Sequence, residues 1–161
     1  MRCFLQWFVL CLSYIVAAFF ATYFGLPQAI WHADMTHMTS VIAILFVAAC
    51  GYLGFASWRY DSNPDPVTKF ATAIADSNMG RAAAYIVTLV GLLGTAIGLM
   101  YQVQAMASID LSNPQHVLEF VGAIGAALST ALYATACGIV GSVGITMLGS
   151  NLEFFMHRDD R

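Results

Sequence analysis

Hydrophobic residues along this chain are grouped into four long stretches that polar segments separate. The stretches lie at about residues 3–24, 39–58, 82–106 and 117–148. A membrane-spanning helix needs about 20 apolar residues to cross a hydrocarbon core of about 30 Å. Backbone that faces lipid must satisfy its own hydrogen bonds, so helices are the expected form of such stretches. The pattern predicts an all-α integral membrane protein with four transmembrane helices, in a single membrane domain over residues 1–161.

The composition supports a membrane location and excludes several functional classes. Apolar residues make up 60% of the 161 residues and charged residues only 9%, and the mean hydropathy is +0.74. Soluble domains carry about 25% charged residues, so this chain has too few charges for a soluble protein's surface. The formal net charge of -3 offers no basic surface to nucleic acid. The sequence contains no recognisable nucleophile, general base or cofactor motif, so we expect neither enzymatic turnover nor a cofactor.

The basic residues predict how the four helices are oriented. There are six of them: Arg2, Arg59, Lys69, Arg81, Arg158 and Arg161. With four spans they all fall on one side of the membrane, and the loops at 25–38 and 107–116 on the other side contain none. Lys and Arg accumulate in cytoplasmic loops. We therefore expect both termini to be cytoplasmic.

The cysteines and the histidines are not spaced as metal ligands usually are. Cys3, Cys11, Cys50 and Cys137 lie in or beside apolar stretches without a CxxC pair, and we interpret them as small hydrophobic residues. His32 and His37 share the loop at 25–38 but are five residues apart, which is a poor spacing for helical ligands. A polar turn at the membrane surface is favoured over a pH sensor or a metal site.

Small and hydroxyl side chains form a stripe on each of the last two helices. On the third helix the stripe contains Thr88, Gly91, Thr95, Gly98 and Gln102, which follow one another at spacings of 3, 4, 3 and 4 residues. Gly94 and Gly98 also form a GxxxG motif. On the fourth helix the stripe contains Ala131, Thr135, Gly138, Ser142 and Gly149, and Gly141 is a further small position. Such spacings keep residues on one helix face. We therefore expect the two helices to pack closely, because small residues let two backbones approach.

Spacing alone leaves the role of the hydroxyl groups open. In membrane helices Ser and Thr often bond back to the carbonyl four residues earlier, which favours packing over a polar conduit. The nine carboxylates are all expected in loops, in tails or at helix ends. A pump or a secondary transporter would be expected to carry an ionisable group inside a span, and inverted repeats are also not evident. If an ion crosses, a carboxylate from a partner protein must take part.

Two motifs on these helices resemble a known family. GLLGTAIGLM at residues 91–100 resembles the Gly-Leu-x-Gly-Thr-x-x-Gly signature of the MotA/TolQ/ExbB proton-channel family. STALYATACGIVGSVG at residues 129–144 resembles the following helix of that family, where Ala-Leu-x-x-Thr-x-x-Gly is matched by Ala131, Leu132, Thr135 and Gly138. The resemblance covers about residues 85–148, and the four spans are similar to the MotA branch rather than to the three-span branch.

The resemblance implies a stator subunit of the bacterial inner membrane. In that family a homopentameric ring surrounds a dimer of a single-span partner of the MotB, TolR or ExbD type, whose membrane aspartate carries the proton. Thr95 and Thr135 fall on the two channel threonines of the family, and Thr88, Thr130 and Ser142 complete the expected lining of the ion pathway. The expected packing positions are Gly91, Gly94, Gly98, Gly138 and Gly141. Thr130 stands where ExbB-like members carry a glutamate, so that role is absent here.

One alternative and two departures from the family accompany this interpretation. The alternative is a four-helix membrane scaffold or assembly protein without ion conduction, whose small residues only pack. One departure is the predicted loop at 59–81, with its Asn63-Pro64-Asp65-Pro66 breaker, which is far shorter than the charged cytoplasmic region that family members usually have. Contact with a flagellar rotor through this loop is therefore not predicted. The other departure is the brief tail that we expect after Leu148.

Overall fold

The computed structural model describes residues 2–25, 27–28, 30, 34, 37–107 and 114–159, and its four long elements are all α-helices. They are α1 (Arg2–Tyr23), α2 (Met38–Ser62), α3 (Pro66–Ala107) and α4 (Pro114–Asp159). Each of the four is long and apolar enough to cross a membrane. The prediction of an all-helical, multi-pass membrane protein is confirmed.

The last two helices are much longer than their apolar stretches at 82–106 and 117–148. α3 begins at Pro66 rather than near Ala82, so the predicted loop at 59–81 is helical except at residues 63–65. α4 continues past Leu148 to Asp159, where we expected a short tail. Hydropathy marks only the part of a helix that is apolar on every side, and it misses amphipathic turns beyond that part.

The turn at residues 63–65 explains why α3 begins where it does. One carboxylate oxygen of Asp65 accepts the Val67 N–H at 3.3 Å, and the other accepts the Thr68 hydroxyl at 2.9 Å. Pro66 occupies the first helical position, where the missing N–H would have had no partner within the helix. The Asn63 side-chain oxygen accepts the Asp65 N–H at 3.2 Å, which closes the turn. Asp65 is therefore the N-cap of α3.

Replacing Asp65 with alanine is expected to destabilise the protein by about 1 kcal/mol, the usual cost of losing an N-cap side chain. Thermal unfolding in detergent, followed by circular dichroism, measures this change. Asp65→Asn is the matched control because it keeps a capping oxygen and should cost much less. Equal losses for the two variants would contradict the capping role.

The first turn of α1 and the last turns of α4 meet in an apolar cluster with the α2–α3 turn region. The buried members of this cluster are Cys3, Ala56, Tyr60, Ala73, Leu152, Phe155 and Met156. Two polar contacts fix it: Asn151 donates to the Cys3 carbonyl at 3.4 Å, and the Phe4 N–H donates to Asp61 at 2.9 Å. We call this part of the molecule the basic end, because it lies among the segments 59–81 and 149–159 that carry Arg59, Lys69, Arg81 and Arg158.

At the opposite end α3 extends beyond α2. Met38, the first residue of α2, lies beside Gly94, since a Cβ on Gly94 would stand 3.3 Å from the Met38 Cβ. α3 continues from Gly94 to Ala107, which is about 20 Å at 1.5 Å per residue. Large apolar side chains such as Met100 and Val121 are exposed on these distal parts of α3 and α4.

Candidate functional site

Thr95 on α3 and Thr135 on α4 meet at the contact between the two helices. Their hydroxyl oxygens are in direct hydrogen-bond contact, and either can be the donor. The Thr95 hydroxyl also lies 3.2 Å from the Gly91 carbonyl of its own helix and 3.3 Å from the Ala131 carbonyl of α4. The Thr135 hydroxyl donates to the same Ala131 carbonyl at 3.1 Å. We call this group of two hydroxyl and two carbonyl oxygens the threonine pair.

Glycines bring the two backbones close enough for the hydroxyls to touch. Gly91 and Gly138 face each other: a Cβ on Gly138 would stand 2.9 Å from the Gly91 Cα and 3.3 Å from the Val87 carbonyl oxygen. One turn further along α3 from the threonine pair, a Cβ on Gly98 would stand 3.1 Å from the Ala127 carbonyl oxygen. These contacts are to backbone atoms, which cannot move aside as a flexible side chain can. Any side chain larger than hydrogen at these positions therefore pushes α3 and α4 apart.

The other predicted glycines have different neighbours. A Cβ on Gly94 would stand 2.6 Å from the Ala134 Cβ, so Gly94 also faces α4. A Cβ on Gly141 would stand 3.2 Å from Val87 Cγ1 and 3.7 Å from Ile42 Cγ2, so Gly141 lies where α2 joins the α3–α4 contact.

The other residues of the predicted lining form hydrogen bonds within their own helices. Thr88 donates to the Ala84 carbonyl at 3.1 Å, one turn back on its own helix. Thr130 is buried and donates to the Ala126 carbonyl at 3.1 Å. Ser142 is half-buried, and its carbonyl accepts the Thr146 hydroxyl at 2.9 Å.

A threonine hydroxyl carries one proton and two lone pairs, so it both donates and accepts. The threonine pair is consequently polar but uncharged, and it can solvate a carboxylate or a carboxylic acid that is brought to it. It has no group that takes up a proton at neutral pH. Among the described residues no cluster of three or more His, Cys, Asp or Glu side chains could hold a metal ion. His32 lies outside the described residues, and the backbone of His37 forms the left-handed N-cap of α2.

Sequence reasoning missed a buried carboxylate at the basic end. Asp76, expected in a loop, lies within α3 and is only 3% exposed. Tyr52 donates to it at 2.8 Å and the Arg59 guanidinium at 2.5 Å, so its charge is held by two groups of α2. The stripe of buried small residues on α3 continues toward its first residue through Ala84, Gly80 and Ala73. That spacing could have predicted that the helix extends past Asp76 and buries this side of it.

Two further carboxylates join separate elements. Glu153 of α4 pairs with Arg81 of α3 at 2.6 Å. Asp34, which precedes α2 and is 2% exposed, accepts the Thr39 N–H at 2.8 Å and also the Thr39 hydroxyl. These groups tie helices and helix ends together.

Comparison with curated proteins and with solved structures gives no match. The model of one family, the MotA/TolQ/ExbB proton channel family, matches residues 71–158. The match contains the threonine pair, the facing glycines and the buried Asp76. It covers more than half of the 161 residues, and the chain therefore belongs to the MotA/TolQ/ExbB proton channel family.

Proposed function

We propose that this protein is the ring-forming subunit of a proton-driven stator, working with a single-span partner that carries a membrane aspartate. Membership of the family implies a stator-type ion-channel role and a non-enzymatic protein. The observation that carries the finer proposal is the threonine pair, which places two hydroxyls and two carbonyl oxygens on facing helices. A homopentameric ring around a partner dimer is the assembly that the family resemblance suggests.

The hydrogen bonds of the threonine pair indicate why a partner is needed. The described hydrogen bonds of Thr95 and Thr135 join their hydroxyls to carbonyl oxygens or to each other, and none of these bonds involves an ionisable group. Hydroxyls of this kind stabilise a carboxylate by donation and a carboxylic acid by acceptance. The proton carrier in this proposal is the partner's aspartate, and the threonine pair solvates it in both protonation states.

The distribution of charge supports a cytoplasmic basic end in the bacterial inner membrane. Arg59, Lys69, Arg81 and Arg158 lie on the segments that form this end, and the described parts of the loop at 25–38 have no basic residue. Cytoplasmic segments of bacterial membrane proteins favour Lys and Arg. We therefore place both termini in the cytoplasm, with four spans as in the MotA branch.

The short connection between α2 and α3 limits which partner could receive force from this protein. Residues 63–65 alone separate the two helices, so no separate domain stands between them. Within this proposal, force passes to the partner's extracytoplasmic part and no flagellar rotor docks on this connection.

A scaffold without ion conduction is the second candidate, and one observation favours it. Thr88, Thr95, Thr130, Thr135 and Thr146 all lie within hydrogen-bond distance of a carbonyl one turn back on their own helix. Hydroxyls used in this way need not face an ion. The contact between Thr95 and Thr135 across two helices is what distinguishes the channel proposal.

Copurification tests the assembly. A tagged copy of this chain is expressed in its native bacterium, extracted in mild detergent with whatever binds it, and analysed by native mass spectrometry. We expect five copies of the chain with two copies of a partner that has an aspartate near the start of its span. A complex without such a partner would support the scaffold, and monomers alone would contradict both the ring and the stator.

A further inference from the structure

A groove runs between α2 and α3, and its α3 residues lie nearer the basic end than Thr95 does. It encloses about 300 Å³, and its walls include Ala48, Ala49, Tyr52, Met79, Gly80 and Ala83. The α2 and α3 segments that form it belong to candidate membrane spans. Its buried lining residues are Ala49, Leu53, Gly80 and Val87, while Tyr52 and Met79 at its rim are 39% and 56% exposed. The groove is therefore apolar, open on one side and level with the bilayer.

Polar groups lie beyond the end of the groove that is nearer the basic end of the molecule. Tyr52 at this end donates to Asp76, and Arg59 of α2 shares the same carboxylate. Arg59 lies seven residues beyond Tyr52 on α2, which is about 10 Å along the helix. Its side chain is 41% exposed, and its contact with Asp76 leaves other N–H groups of the guanidinium able to donate.

Exposed aromatic residues surround Arg59. Trp58 is 51% exposed, Phe55 is 54% exposed, and the Arg59 guanidinium stands 5.8 Å from the centre of the Phe55 ring. Aromatic and basic side chains at the end of an apolar span mark the level of lipid headgroups. Arginine binds phosphate through paired N–H groups.

We propose that the α2–α3 groove holds one acyl chain of a membrane phospholipid, whose phosphate binds the Arg59 guanidinium. A helix of a second copy is about 10 Å wide with its side chains, which is too wide for a groove of about 300 Å³ between two adjacent helices. A single acyl chain fits the apolar walls, and the polar groups beyond the end of the groove lie where its headgroup would be. Asp76 occupies one nitrogen of the Arg59 guanidinium, so the phosphate would bind through the N–H groups that Asp76 leaves available.

Native mass spectrometry of the full chain, released from nanodiscs of phosphatidylethanolamine and phosphatidylglycerol, tests the proposal. We expect the wild type to keep about one phospholipid per chain after mild activation. Ala48→Leu fills the groove and is expected to reduce the retained phospholipid at least several-fold. Ala43→Leu is the matched control, because Ala43 is also exposed on α2 but does not line the groove. Equal retention by both variants would overturn the proposal.

A double variant separates the headgroup contact from the groove itself. Arg59→Gln with Asp76→Asn removes both charges without leaving either one unpaired, and it is expected to lower phospholipid retention while the groove stays open. Unchanged retention in this variant would overturn the role of Arg59. A change in the number of chains per assembly in Ala48→Leu, with lipid retention unchanged, would instead identify a second copy as the occupant and refute the proposal. None of these readouts depends on ion conduction.

Discussion

Thr135→Val is expected to reduce partner-dependent proton flux strongly while leaving the assembly intact. Valine has nearly the shape of threonine but lacks the hydroxyl, so the substitution removes hydrogen bonding and keeps packing. A hydrogen bond to a charged group contributes about 1.5–3 kcal/mol. Lost from the transition state of proton transfer, that amount corresponds to a rate reduction of roughly 10- to 150-fold. Thr95→Val removes the other hydroxyl of the threonine pair and is expected to weaken the flux as well.

Proteoliposomes that contain the ring and its partner, with an internal pH dye, measure this flux. Thr146→Val is the control on α4, because Thr146 donates to the carbonyl of Ser142 one turn back but has an exposed environment away from Thr95. All three variants lose a hydroxyl from a helix, and only two lose one from the threonine pair. Normal conduction by Thr95→Val and Thr135→Val would show that these hydroxyls serve their own helices alone.

Gly138→Ala is expected to destabilise the bundle, whereas Gly51→Ala is expected to be neutral or stabilising. A Cβ on Gly138 would stand 2.9 Å from the Gly91 Cα, so the two backbones must separate. Overpacking of this kind costs about 1–3 kcal/mol. A Cβ on Gly51 would meet nothing within 4 Å, and alanine is the better helix former by up to about 1 kcal/mol. The two substitutions add the same methyl group, so opposite signs isolate the contact between α3 and α4.

Unfolding in mixed detergent measures both stabilities, and native mass spectrometry shows whether assembly follows. Leucine at Gly94 or Gly98 extends the series, since both positions face α4, and we expect assembly to fail there while Gly51→Leu is tolerated. A loss of stability in Gly51→Ala equal to that in Gly138→Ala would remove the special role that we give to the α3–α4 contact.

The pairing of α3 with α4 could be anticipated because both helices carry small residues at helical spacing. Residues three and four apart share a face whatever surrounds them, so Gly91, Thr95 and Gly98 had to point in one direction. The same spacing on α4 places Thr135 and Gly138 together. Which residue stands opposite which depends on how far one helix is shifted along the other, and spacing on a single helix does not determine that shift.

The pattern of hydrophobic and small residues could not predict contacts between distant segments of the chain. Asp76 lies in an amphipathic region of low hydropathy, and its burial depends on Tyr52 and Arg59 from another helix. Gly54 is another example: the Trp7 ring of α1 covers it so closely that a Cβ there would clash with the ring carbons. An isolated glycine on α2 does not indicate that an aromatic ring from another helix packs against it.

The contact between Asn151 and Cys3 has a consequence for how the protein is made. These residues are 148 positions apart and α1 is synthesised before α4, so the face of α1 around Cys3 meets Leu152 and Phe155 only after α4 has been made. Until then, this face of α1 lacks its contact with α4. We expect a product of translation that stops before residue 151 to be less stable than a chain that includes α4. The order of synthesis therefore makes the packing of α1 depend on α4.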